Sequence, residues 1–248
     1  MKIMTEIKKQ IPNLITLGNL MCGVFATGCA ADGDIVSASL LICLGILFDF
    51  FDGLAARLLG VSSPLGKELD SLADVVTSGV APAFILLSFL NGQYPYTDYI
   101  NLLAFLIPAF AAYRLAKFNL DTRQSHSFLG LPVPSNALLW VGIALSKNTF
   151  INLAANGIPF FNSNLFPIFI IVVSLVTDIL MISELPMFSL KFNFKNLRWK
   201  DNSRQYIFLL GCLAIIVITL EWYAISLIIL WYIILSILTQ HKQKTDAQ

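Results

Sequence analysis

The chain is 248 residues long, 57% hydrophobic, 12% aromatic and only 12% charged, with a mean hydropathy of +0.76. Soluble domains are about one quarter charged, so this composition excludes a water-soluble globule, a disordered chain and a nucleic-acid binder, and leaves a membrane protein. Sixteen Lys and Arg against fifteen Asp and Glu give a formal charge of +1, which provides no bulk attraction to a polyanion.

In chain order, Ile3, Met4, Ile7 and Ile11 recur every three or four residues, with Lys2, Lys8 and Lys9 elsewhere on the wheel. That pattern predicts an amphipathic helix over 1–12 lying on an anionic leaflet; a frayed basic tail is the simpler alternative. A helix needs about 20 apolar residues to cross a bilayer core. Spans of that kind fall at 14–31, 36–58, 71–90, 99–117, 132–147 and 164–182, forming a six-span core over 13–183. Residues 184–204 are the longest polar interval, where Lys191, Lys195, Arg198 and Lys200 mix with Phe192, Phe194, Leu197 and Trp199. They are expected to form a cytoplasmic linker at headgroup level. The run from Ile207 to Leu238 is too long for one comfortable span and carries Glu221, Trp222 and Tyr223 at its middle. A transmembrane hairpin over 205–240 and a tail over 241–248 follow. The expected fold is all-α: a polytopic transmembrane bundle of about eight spans, with seven as the alternative.

Loop charge orients this plan, because cytoplasmic loops retain Lys and Arg. Every Lys and Arg except Lys147 then falls on the side of the N-terminus, which predicts a multi-pass protein of the cytoplasmic membrane with both termini inside. The first apolar run lacks an A-x-A cleavage site and is expected to be retained. Cys22, Cys29, Cys43 and Cys212 lie in apolar runs at spacings that fit neither zinc nor a disulfide framework.

Ionisable residues in apolar spans are costly and usually face a polar cavity. Asp49 and Asp52 lie in the cytoplasmic third of the second span, and Asp70 and Asp74 open the third. At about 100° per residue, Asp49, Asp52, Gly53, Ala56 and Arg57 share one stripe, as do Gly66, Asp70 and Asp74. A short connection through Ser62, Ser63 and Pro64 makes the two helices antiparallel neighbours able to turn these stripes together. Facing carboxylates repel unless neutralised. Oxygen-only donors favour two Mg²⁺ or Mn²⁺ ions, which typically clamp a phosphoryl group. Gly53, Ala56 and Gly66 would let a bulky ligand approach. Salt bridges to Arg57, Lys67, Arg114 and Lys117, or proton or cation transport, remain alternative uses of the same acids.

Asp49, Asp52, Gly53, Ala56, Arg57, Gly66, Asp70 and Asp74 stand at the fixed positions of the signature of CDP-alcohol phosphotransferases, and the chain resembles that family. The segments Ile11 to Val24, Gly66 to Ala83 and Tyr113 to Ala137 are most similar to its integral-membrane branch that takes CDP-diacylglycerol as donor and L-serine as acceptor. The resemblance covers about residues 11 to 140. It implies that Asp49, Asp52, Asp70 and Asp74 ligate metal, that Asp74 is also the general base, and that Gly53, Ala56, Arg57 and Gly66 line the nucleotide pocket. It further implies release of CMP at the cytoplasmic boundary, and a homodimer. Glycerol 3-phosphate or inositol phosphate is the alternative acceptor.

Asn13, Thr16 and Asn19 on the first span are expected to touch the nucleotide or to bond neighbouring helices. Arg114, Lys117 and Arg123 are candidates for a phosphate or the serine carboxylate, with simple topology-setting charge as the alternative. Asp178 is expected to pair with a loop lysine, His126 and His241 to be solvated, and Pro82 to bend the third span.

Overall fold

A computed structural model describes residues 2–91, 98–121, 128–187 and 199–245. Helix α1 (Lys2–Ala31) is continuous, with Pro12 inside it, so the backbone passes from the basic N-terminal turns into the first span without a break. Proline removes one donor from the helical ladder; the Thr16 hydroxyl oxygen stands 3.0 Å from the Pro12 carbonyl in the following turn. Gly33, at φ 84°, turns the chain, and Asp34 caps α2 (Ile35–Leu59) by accepting from the Ser37 N–H. Gly60 ends α2 in the left-handed region, where only glycine is unstrained. Ser63 then caps α3 (Pro64–Asp74), its hydroxyl accepting from the Gly66 N–H at 2.9 Å, with Pro64 in the first turn.

A six-residue π-helical turn, Val75–Val80, follows Asp74 directly and leads into α4 (Ala81–Leu90). Pro82 was expected to bend this span. It lies in the first turn of α4, and the irregularity is the π turn just before it. The chain continues through α5 (Asp98–Asn101), a 3₁₀ turn at Leu102–Phe105, and α6 (Leu106–Leu120). Next come α7 (Val133–Leu145), α8 (Lys147–Ala155), α9 (Pro159–Asn162) and α10 (Leu165–Ile182). A two-residue antiparallel ladder between β1 (Phe128–Leu129) and β2 (Pro186–Met187) ties the approach to α7 to the end of α10. Last are α11 (Trp199–Thr219) and α12 (Tyr223–Thr245).

Among the described residues, six helical stretches are long and apolar enough to cross a membrane: 10–31, 35–59, 64–90, 99–120, 165–182 and 202–219. The α7–α8 pair adds a stretch bent by 44°, and 223–239 is a shorter apolar helix. The protein is a polytopic helical membrane bundle. Helix α11 ends and α12 begins on either side of 220–222, where the sequence places the hairpin turn.

Val36, Leu40, Leu44 and Leu47 form an exposed apolar stripe on α2, as expected of a lipid-facing helix. The interior is built around α4 and α7, where Ile85, Leu86, Phe89 and Trp140 are almost completely enclosed. Phe150, Phe161 and Phe166 pack ring to ring at 5.2–5.8 Å on the side away from the aspartates. Helix α12 docks on α7 at Gly142, where an added Cβ would overlap Ser226, and the Ser226 hydroxyl donates to the Leu139 carbonyl at 2.7 Å.

Candidate functional site

Helix α1 packs along both α2 and α3, whereas α2 and α3 barely touch each other. The two stripes therefore face each other across a cleft, with α1 as its floor, rather than in direct helix contact. The cleft holds a cavity of about 200 Å³. Asn13 and Thr16 line it from α1, Asp52, Gly53 and Ala56 from α2, and Gly66 and Asp70 from α3. A Cβ placed on Gly53 would meet nothing within 4 Å, so this backbone faces open space.

Oxygens of Asp49, Asp52 and Asp70 lie within 4.8 Å of one another. Asp52 is held in place by the Thr16 hydroxyl, which donates to its Oδ2 at 2.6 Å. Asp74 stands outside this trio. It is 7% exposed, one helical turn further along α3, and accepts from Asn19 Nδ2 at 3.2 Å. Among the described residues, no lysine or arginine nitrogen comes within 4.0 Å of any of the four carboxylates, so salt bridging does not explain the cluster. Three converging carboxylates without His, Cys or a cationic side chain fit hard divalent cations by the chemistry of the donor set.

The cationic candidates separate. Arg114 is 8% exposed and within electrostatic reach of Asp74, with its guanidinium 5.8 Å over the Phe118 ring. Lys117 turns away from the cleft, pairing with Glu184 at 3.7 Å and donating to the Ile182 carbonyl at 3.4 Å, because the C-terminal end of α10 presents free carbonyls there. Arg57 is exposed and folds back on its own helix, donating to the Gly53 carbonyl at 3.0 Å. Lys67 lines the cavity and donates to the Asn119 carbonyl at 2.8 Å, while the Asn119 amide donates to Ser71, which ties α3 to the end of α6. Arg123 and His126 lie outside the described residues, as do the loop residues 188–198.

Two features escaped the sequence reading. Tyr232 of α12, 6% exposed, reaches the electrostatic surroundings of Arg114, so the C-terminal hairpin borders the site. Among the described residues, Asp178 pairs with no lysine. It is fully buried beside Asn136 and Ser174, although no pair among the three meets hydrogen-bond geometry. A full turn of α10 separates it from the polar end of the helix, and no single-sequence pattern links it to α7.

A family model for CDP-alcohol phosphatidyltransferases matches residues 9–161. The chain is 38% identical over 138 residues to a CDP-diacylglycerol–serine O-phosphatidyltransferase of Bacillus subtilis, covering 56% of this chain and 77% of that protein. It is 32% identical over 207 residues to the protein of the same name in Helicobacter pylori, covering 83% and 80%. An archaetidylserine synthase of Methanothermobacter thermautotrophicus is 36% identical over 131 residues, covering 52% and 54%. The cleft carries the family signature, and its match extends through α8; the chain is an enzyme and belongs to the CDP-alcohol phosphatidyltransferase family.

Proposed function

We propose that this protein is a phosphatidylserine synthase, which transfers the phosphatidyl group of CDP-diacylglycerol to the hydroxyl of L-serine and releases CMP at the cytoplasmic face of the membrane. The observation that carries it is the convergence of Asp49, Asp52 and Asp70 beside a cavity edged by Gly53, Ala56 and Gly66. The names of the relatives support serine as acceptor. The reading includes both termini on the cytoplasmic side, the first turns of α1 on the inner leaflet, and a homodimer, as the family resemblance implies.

Asp49, Asp52 and Asp70, with Asp74 completing the set, would hold two Mg²⁺ or Mn²⁺ ions, which would supply charge neutralisation for the pyrophosphate and the leaving CMP. Asn13, Thr16, Gly53, Ala56 and Gly66 shape the pocket for the nucleotide, with Arg57 at its rim. Arg114, buried and within electrostatic reach of Asp74, receives the carboxylate of serine or a phosphate oxygen; Arg123 is the other member of the acceptor set, whereas Lys117 is committed to Glu184. Asp74 takes the proton from the serine hydroxyl as that oxygen bonds to phosphorus and the bond to CMP breaks.

Incubating the purified protein with labelled CDP-diacylglycerol and each alcohol tests the acceptor. CMP release with serine is expected; release with glycerol 3-phosphate or inositol phosphate but not serine rejects this assignment. Asp74→Asn is expected to lower kcat by about 10²- to 10⁴-fold, the usual worth of a general base, with CDP-diacylglycerol binding retained. Metal-dependent flux through sealed vesicles without CMP release would instead make the acids a transport pathway.

A further inference from the structure

Resting on the reading in which Asp74 is the base, we propose that Asn19 is a positioning residue that holds Asp74 in its working orientation. Asn19 is fully enclosed on α1, and its Nδ2 donates to Asp74 Oδ1 at 3.2 Å. An ionised carboxylate only accepts, so the amide is oriented by its partner: nitrogen toward Asp74, oxygen away. The oxygen turned away, Oδ1, meets no donor although it is buried. Here the donor end is needed and the acceptor end is left over.

The backbone of Asn19 is held as well. Thr77, three residues after Asp74 in the π turn, donates from its hydroxyl to the Asn19 backbone carbonyl at 2.9 Å. Gly23 on α1 and Gly45 on α2 make room for Thr77, since a Cβ on either would overlap it. A Cβ on Gly45 would also stand 2.9 Å from Asn19 Oδ1. The widened π turn thus brings Thr77 back onto α1, so the chain that carries Asp74 and the amide that fixes it form one closed unit. Asn19 does not line the substrate cavity. It occupies one oxygen of Asp74 and leaves Oδ2 for the acceptor proton. A base in a single orientation saves the search for that geometry in each turnover.

The test uses the full chain in lipid nanodiscs, with CMP release followed at varied donor and acceptor. Asn19→Leu removes the donor at nearly constant size and is expected to lower kcat by about 10- to 100-fold, the common cost of losing a supporting hydrogen bond. KM for CDP-diacylglycerol and for the acceptor should stay within about twofold, because neither substrate touches Asn19. Asn19→Asp keeps the shape but opposes one carboxylate to another, and should fall at least as far. It also serves as the readout if Asn19→Leu fails to give a monodisperse protein. Gly45→Ala, which presses on Asn19 and Thr77 from α2, should shift kcat in the same direction with KM unchanged. Wild-type kcat in Asn19→Leu, alongside an inactive Asp74→Asn, overturns the positioning role. A rise in the KM for CDP-diacylglycerol that accounts for the whole loss overturns it too, by placing Asn19 in donor binding. Wild-type kcat in Asp74→Asn overturns the base reading instead. If serine proves not to be the acceptor, the variants are compared with the alcohol that is, so the acceptor assignment and this inference fail separately.

Discussion

Two groups of acids lie inside apolar helices of this bundle, and they keep different company. Asp49, Asp52 and Asp70 face one another within 4.8 Å at the edge of a cavity. Asp178 is sealed between α7 and α10 beside an amide and a hydroxyl. Like charges that converge on open space need a counter-ion from outside the chain. A lone carboxyl among neutral polar groups faces no like charge to be neutralised. Depth in the membrane therefore says little about function; what matters is which neighbours an acid has and whether a ligand can reach it.

The sharpest way to break this comparison is to remove what the cleft is built to hold. Chelation of divalent cations with EDTA is expected to abolish CMP release, and Asp70→Asn to lower turnover by at least about 10³-fold, beyond the loss of one ordinary donor. Thermal unfolding of Asp70→Asn should change little, since the substitution relieves repulsion. Turnover that survives both treatments would leave the cluster without a catalytic use. Thr16→Val is a gentler probe of the same region. It deletes the 2.6 Å hydrogen bond to Asp52 at constant shape and should weaken activation by Mg²⁺ or Mn²⁺ by about 10- to 100-fold. A titration of activity against metal concentration measures it.

Asp178→Asn tests the other half. With no charge partner to lose among the described residues, the amide is expected to keep kcat within about threefold of wild type and to hold or raise the unfolding midpoint, because burying an unpaired charge in a span is costly. Loss of turnover with intact folding would make Asp178 part of the site.

The cleft was legible because its information is local. Asp49, Asp52, Gly53 and Ala56 share a helical face, and a short capped turn fixes the next helix beside it. The hairpin break was legible for a related reason: Glu221 and Trp222 interrupt an apolar run. Lys117 was not, because α10 decides its direction from 65 residues away. Nor was the separation of α2 from α3, which depends on α1 filling the floor between them. Tyr232 joins the surroundings of Arg114 only through packing of α12 on α7, and nothing in the spacing of either helix announces it.

The smallest expected effect comes from the opposite end of α2. Asp34 caps that helix, and hydrogen bonds from Ser37, side chain and backbone, hold its carboxyl below the usual carboxylate range. A group whose folded pKa is lowered stabilises the protein above its unfolded pKa, about 3.9 for aspartate, and loses that contribution as pH falls through the folded value. Asp34→Ala should therefore lower the unfolding midpoint slightly at neutral pH, and the gap to wild type should close below about pH 4. Asp34→Asn, which caps without titrating, should show no such closure. Eighteen residues of helix at 1.5 Å each put Asp34 about 27 Å from Asp52, so kcat should be unchanged in both variants. A fall in kcat without a fall in stability would mean that the two ends of α2 are coupled, and that the cleft is not the self-contained unit its geometry describes.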